Sequence, residues 1–151
     1  MAKQERKDDG VVVKLAETEA ELEGAIAVRF RVFVAEQAVP PEEELDDADA
    51  TAVHAIALVA GQVVGTGRLV RRGPETAQIG RMAVDQPWRR RGIGGRILDY
   101  LEAQARAQEM HHCYLHAQEY VKVFYAAHGY HEHGGVFLDA NIRHVEMRKE
   151  L

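Results

Sequence analysis

Apolar positions along the chain alternate between two periods. Val11-Val12-Val13-Lys14-Leu15 predicts an opening strand after a polar, mixed-charge segment 1–10 that is expected to be loose. Thr18 and Glu21 stand at the spacing of a capping box, and Leu22, Ile26, Phe30 and Phe33 then recur on one stripe. They predict a helix packed on a sheet, interrupted by Gly24 and ended by Pro40-Pro41. Val53, Ile56, Leu58 and Val59, then Val63, Val64 and Leu69, suggest two antiparallel strands with Gly61-Gln62 in the turn. Ile79, Met82 and Val84 give a central strand its apolar face before Pro87 breaks it. Ile93, Ile97, Leu101 and Ala105 return to helical spacing and predict a helix from about Arg90 to Gln108. A short strand at His112 to His116 and helical character from Glu119 to Ala127 follow, closed by Gly129. Strands at Val136 to Leu138 and Ile142 to Met147, separated by Asp139-Ala140-Asn141, end the pattern. A mixed or antiparallel sheet fits this order better than a helical bundle.

The central strand runs into Pro87-Trp88-Arg89-Arg90-Arg91-Gly92-Ile93-Gly94-Gly95-Arg96, a basic, glycine-containing turn that opens a helix. N–H groups in a first helical turn lack intrahelical partners and the helix dipole favours negative charge there, so phosphate fits. Arg89, Arg90, Arg91 and Arg96 add fixed positive charge. The plainer reading is a solvated arginine cluster on an ordinary turn. No Lys-Ser or Lys-Thr pair follows, and the glycines do not complete a dinucleotide fingerprint, so both of those nucleotide motifs are excluded.

A chain of 151 residues, 46% hydrophobic, suffices for one ordinary domain, placed at 11–151. Net charge of −5 argues against general nucleic-acid binding, though a local basic turn still suits a phosphorylated small molecule. Cys113 has no intrachain partner, and the first ten residues lack an apolar run, so a cytoplasmic protein without membrane association is expected. Glu42, Glu43, Glu44, Asp46, Asp47 and Asp49 form an acidic run read as a solvated surface loop, capable of attracting a cationic amine. The pairs His111/His112 and His131/His133 lack further metal ligands, so no metal is expected.

Arg89-Arg90-Arg91-Gly92-Ile93-Gly94 after a central strand resembles the Gln/Arg-x-x-Gly-x-Gly/Ala pyrophosphate loop of the GNAT superfamily of CoA-dependent N-acetyltransferases. Val123-Phe124-Tyr125-Ala126-Ala127-His128-Gly129-Tyr130 is similar to that superfamily's downstream aromatic segment. Arg31-Val32-Phe33-Val34-Ala35-Glu36-Gln37-Ala38-Val39-Pro40 and Ile142-Arg143-His144-Val145-Glu146-Met147-Arg148-Lys149 resemble its ElaA-like branch. The resemblance, over roughly residues 11 to 149, implies an α/β fold: a GNAT-like three-layer sandwich with a mixed, mostly antiparallel sheet and a splayed central parallel strand pair.

It also implies acetyl-CoA as cosubstrate, pantetheine pairing to backbone at Met82, Ala83 and Val84, and pyrophosphate held by N–H groups from Arg90 through Gly95. Phe124 is expected to pack or face the cofactor, and Tyr125 to be the general acid for the departing thiolate. The acceptor is expected to be a small primary amine that attacks the thioester directly through a tetrahedral intermediate. A carboxylate is missing between Ile79 and Val84, which leaves His116, Glu36, Glu119 or a water as base, with His54 and His144 as possible pocket residues. The same gap keeps a non-catalytic acyl-CoA-binding or sensor protein open as the alternative. Cys113 inside a strand favours packing over nucleophilic catalysis. A homodimer through the terminal strands is expected from the resemblance.

Overall fold

A computed structural model describes Glu5, Arg6 and residues 9–151; the rest of segment 1–10, expected to be loose, lies outside the described residues. Eight strands form one sheet: β1 (Glu5–Arg6), β2 (Val11–Leu15), β3 (Val53–Val59), β4 (Gln62–Arg71), β5 (Thr76–Val84), β6 (His112–Gln118), β7 (His131–Asp139) and β8 (Ile142–Glu150). Their spatial order is β1-β2-β3-β4-β5-β6-β8-β7. All neighbours are antiparallel except β5 and β6, which are parallel. The expected mixed, mostly antiparallel sheet with one parallel pair is therefore present.

Helix α1 (Glu19–Arg29) begins as its sequence predicts: the Thr18 hydroxyl accepts from the Glu21 N–H at 3.1 Å and the Glu21 carboxylate accepts from the Thr18 N–H at 3.3 Å. Its buried face is not the stripe of large residues, which is only half-buried, but Ala25, Val28 and, one turn on, Val32. These small residues bring the helix close to Ile56, Val63 and Ala83. Gly24 is part of that approach rather than an interruption, because a Cβ there would lie 2.6 Å from the Val63 side chain. Beyond Arg29 the chain continues as a π-helical segment, Phe30–Glu36.

On the opposite face α3 (Ile93–Ala107) lays Ile93, Ile97, Leu98, Leu101 and Ala105 against Val64, Leu69, Ile79 and Leu115. It starts three residues later than expected, since Arg90 and Gly92 have φ of 64° and 79°, incompatible with helix. A short α2 (Pro41–Glu44) precedes β3, and α4 (Lys122–Ala127) follows β6. The three layers are thus α1, the sheet, and α3 with α4. The β3–β4 turn is Ala60-Gly61, not Gly61-Gln62; both residues have positive φ, as a type I′ hairpin requires. Ala140 and Asn141 repeat this between β7 and β8, both longer than their apolar runs suggested.

The acidic run is not a freely solvated loop. Arg29, on α1 and 1% exposed, donates from Nε to Glu44 Oε2 at 2.8 Å and from Nη1 to Asp49 Oδ1 at 2.7 Å. Arg68 on β4 donates to Asp46 at 2.7 Å and Asp49 at 2.8 Å, and Arg81 on β5 lies 3.0 Å from Glu44 Oε2. The Arg68 guanidinium holds the Asp46 carboxyl below its ordinary range, and Arg29 and Arg68 with the Asp46 N–H hold Asp49 well below it, against the opposing pull of burial.

Removing Arg29 takes one of two arginine partners from each of Glu44 and Asp49, leaving Arg81 on the first and Arg68 on the second. Arg29→Ala is expected to cost about 3–5 kcal/mol in urea unfolding. Because Asp46 and Asp49 titrate lower folded than unfolded, their stabilisation is complete above the unfolded carboxylate value of about 4 and is lost as pH falls below it. The urea midpoint should drop between pH 6 and pH 3, and drop less in Arg29→Ala.

Candidate active site

Strand β5 carries a bulge. Thr66 faces Ala83 and Arg68 faces Gly80, so β5 spends one residue more than β4 between these pairs, and Arg81 sits at φ 52°. On its other edge β5 pairs with β6 only from Thr76–His112 to Gln78–Tyr114. Past that point β6 stays with β8, Leu115 opposite Met147 and Gln118 opposite His144, while β5 bends away. A cavity of about 770 Å³ opens along this divergence, walled by Gln78 to Val84, Leu115, His116 and Gln118, the π-helical segment, and Tyr125.

Backbone alternation fixes which groups of β5 face the opening. The Asp85 N–H donates to Val64 O at 2.8 Å, so Val84 presents its N–H and carbonyl to the other edge, where Arg89 Nε donates to Val84 O at 2.8 Å. Met82 shares that direction. Ala83 does not: its backbone groups turn toward β4, and it meets the cleft through its side chain, which corrects the expectation that all three residues offer backbone to a ligand.

After a 3₁₀ turn at Gln86–Trp88 the chain reaches Arg90 and Gly92 in the left-handed region and enters α3. Gly92 is the N-cap and supplies no side-chain cap. The first N–H of the helix with a partner is that of Arg96, to Gly92 O at 3.2 Å; those of Arg90, Arg91, Gly92, Ile93, Gly94 and Gly95 have no acceptor among the described residues. They form the anion-ready concavity expected of a helix start. Arg89, Arg90 and Arg91 are exposed beside it, Arg91 lying 4.9 Å above the Trp88 ring. Arg96 is different. It is 6% exposed and donates to Val11 O at 3.0 Å and to Asp9, so its side chain anchors β2 instead of joining the turn's cluster.

Helix α4 closes the turn from the other side. A Cβ at Gly95 would meet His128 Nε2 at 3.0 Å, and Phe124 packs edge-on to Tyr125 at 5.0 Å. Tyr125 is 8% exposed and lines the cavity, yet its Oη makes no hydrogen bond. Tyr100 Oη is the only fully enclosed side-chain N or O without a partner among the described residues, so the Tyr125 hydroxyl is not sealed, and its residue lines the cavity. Burial pushes its pKa well up, which keeps it a proton carrier at neutral pH.

The remaining candidates separate. Glu36 lines the cavity and is bound to Arg89 Nη2 at 2.8 Å, a pair that clasps the π-helical segment to the basic turn. Glu119 is taken by Arg143 at 3.1 Å, and burial beneath the 3₁₀ turn at Asp47–Ala50 puts His54, bonded through Nε2 to Asp49 O at 2.9 Å, outside the cavity. His116 lines it, with Nε2 3.4 Å from Glu146. His144 lines it too. Cys113 is buried against Tyr130 Oη at 3.4 Å and its thiol is pushed up to about 11 by burial, so it packs. Among the described residues no group of three His, Cys, Asp or Glu could hold a metal, and no helix is long and apolar enough to cross a membrane. Sequence reading missed Gln37 and Gln118, which join across the cavity mouth (Gln118 Nε2 to Gln37 Oε1, 2.7 Å); no local pattern links residues so far apart.

Residues 4–151 match the acetyltransferase (GNAT) domain family. The uncharacterized N-acetyltransferase YjcF of Bacillus subtilis (strain 168) is 36% identical over 137 residues, covering 90% of this chain and 97% of its own. The crystal structure of Escherichia coli ElaA superposes with a TM-score of 0.81 at 20% identity, covering 99% of this chain and 100% of that one. A GNAT family acetyltransferase from Elizabethkingia anophelis, solved with acetyl-CoA bound, gives 0.71 at 14% identity, with 96% and 100% covered. At these identities the two structures attest the fold.

Gly92 holds φ 79° with nothing within 4 Å of where a Cβ would stand, so Gly92→Ala meets backbone strain and no clash. It is expected to lower stability by about 1 kcal/mol in thermal unfolding and no more.

Proposed function

The chain belongs to the GNAT acetyltransferase family, and on that premise we propose that it transfers the acetyl group of acetyl-CoA to a small primary amine. The observation that carries this reading is the open Tyr125 hydroxyl in the gap between β5 and β6, one helix away from a turn of unpartnered N–H groups.

In this reading the pyrophosphate accepts hydrogen bonds from N–H groups between Arg90 and Gly95, with Arg89, Arg90 and Arg91 supplying positive charge. The pantetheine arm pairs with the free edge of β5 at Met82 and Val84, replacing the β6 ladder missing there. The Val84 N–H is placed to polarise the thioester carbonyl as it becomes an oxyanion. The amine adds to that carbon, the tetrahedral intermediate collapses, and the Tyr125 hydroxyl protonates the departing thiolate. No acyl-enzyme is required. The acceptor enters from the sheet face opposite α3, past Phe33, Gln37 and His116. Glu44, Asp46 and Asp49 are neutralised by arginines, so they do not supply the cation attraction that the acidic run suggested.

We also place the chain near the ElaA-like branch, since both segments that carry that resemblance, 31–40 and 142–149, contribute residues to the cavity wall. A second copy of the chain would pair at the outer edge of β7, whose other edge is taken by β8.

An acceptor screen that follows CoA release and identifies the product by mass tests the reading. Tyr125→Phe keeps the ring packing and loses no hydrogen bond, so CoA affinity and stability should hold while turnover falls by about 100-fold or more. CoA binding by the wild type with no transfer across a broad amine panel would favour an acyl-CoA-binding or sensor protein instead.

A further inference from the structure

Acetyl transfer from a thioester to an ammonium must dispose of two protons, and Tyr125 accounts for the delivery of only one. We propose that His144 Nε2 is the base that deprotonates the acceptor amine; this rests on the acetyltransferase reading above.

His144 lies on β8 between Gln118 of β6 and Phe137 of β7, and lines the same cavity as Tyr125. Its Nδ1 stands 2.7 Å from the Ile142 carbonyl oxygen. A carbonyl only accepts, so Nδ1 carries the hydrogen, and in the neutral ring Nε2 holds the lone pair. The ring plane is fixed by stacking on Phe137 at 5.8 Å and an interplanar angle of 24°. At 8% exposure the ring is largely out of water, yet Nε2 makes no hydrogen bond. Since Tyr100 Oη is the only enclosed polar side-chain atom without a partner among the described residues, Nε2 is open, and it opens on the cavity. A single tautomer, a locked ring and an unoccupied lone pair are what a positioned proton acceptor needs.

The other acceptors on that wall are spent or solvated. Glu36 is held by Arg89, and Glu44 and Asp46 by Arg29, Arg81 and Arg68. His116 turns its Nε2 toward Glu146 at 3.4 Å and is itself exposed, as are Glu43 and Asp139 at the rim.

The protons then balance. Nε2 takes one from the ammonium, giving a neutral amine and an imidazolium. The nitrogen lone pair forms the C–N bond as the carbonyl π pair moves to oxygen. When the oxyanion re-forms the carbonyl, the C–S pair leaves with sulfur, which takes the Tyr125 proton; the resulting phenolate takes the second proton from nitrogen, which restores the phenol. The imidazolium releases the first proton to solvent.

The test uses the full chain and the best amine from the acceptor screen. Asn at 144 can donate its amide N–H to Ile142 O as Nδ1 does, but has no proton acceptor in place of Nε2. His144→Asn should fold and bind CoA as the wild type does, with kcat lowered by about 100-fold or more. Free imidazole should restore part of the rate to His144→Ala and none to Tyr125→Phe. His133→Asn, on exposed β7, should leave the rate unchanged. Wild-type turnover matched by His144→Asn, or a His144→Ala that imidazole does not rescue, overturns the assignment alone. A wild type that binds CoA and acetylates no amine overturns the acetyltransferase reading, and the base with it.

Discussion

Beyond Gln78 and Tyr114 the parallel ladder between β5 and β6 stops in the middle of a sheet, where backbone groups ordinarily find partners across the gap. Each N–H or carbonyl left dry there costs about 1–3 kcal/mol, so such an interruption persists only if something holds the strands apart and something else serves the exposed groups. Arg81 does the first. Its residue is the bulge of β5, and its guanidinium is fastened to the carbonyl of Glu44 at 3.0 Å and to that residue's carboxylate, so the bend is tied from outside the sheet. Arg89 begins the second by donating to the Val84 carbonyl. The groups that remain are those a ligand with amides of its own can satisfy.

That fastening explains why three arginines and three carboxylates are gathered under α2. A buried ion pair is weak evidence for stability, because desolvation offsets much of the attraction. Here its effect is positional: Arg29 comes from α1, Arg68 from β4 and Arg81 from β5, and all three converge on the segment between Glu44 and Asp49. One segment thus fixes the end of α1, from which the cavity-lining π-helical segment continues, and the strand whose bend creates the cavity.

Local chemistry in this chain was readable, and distant pairing was not. The Thr18–Glu21 box and the Ile93-Ile97-Leu101-Ala105 face are decided by residues each about one turn from the next, and both stand as their spacing requires. The turn at Arg90 to Gly95 belongs to the same class, since its glycines and its helix are contiguous. The acidic run was misread because its cations sit at 29, 68 and 81, and no short-range rule joins them to residues 44–49. Glu36 looked available for the same reason, with Arg89 brought beside it only by the fold. Ala83 shows a subtler limit: the strand was visible, but the edge toward which each N–H points depends on the bulge and the register against β4. The small-residue contact of α1 was hidden because Ala25, Val28 and Gly24 carry less hydrophobic signal than the Leu22 stripe, although close approach requires the small side chains.

The two sheet faces are dressed differently, and this gives the split strands their consequence. The anion-ready turn and Tyr125 belong to the face covered by α3 and α4. The opposite face is covered by α1 over β3 to β5 only, leaving Tyr114, His116 and Gln118 of β6 and the facing residues of β8 without a helix above them. A paired sheet would separate these surfaces completely, because a continuous ladder leaves no passage for a side chain, still less for a thioester. Where β5 and β6 part, a group seated on the α3 side can meet one arriving from the bare side. The gap therefore joins two half-sites, with Tyr125 bordering it from one face and His144 from the other.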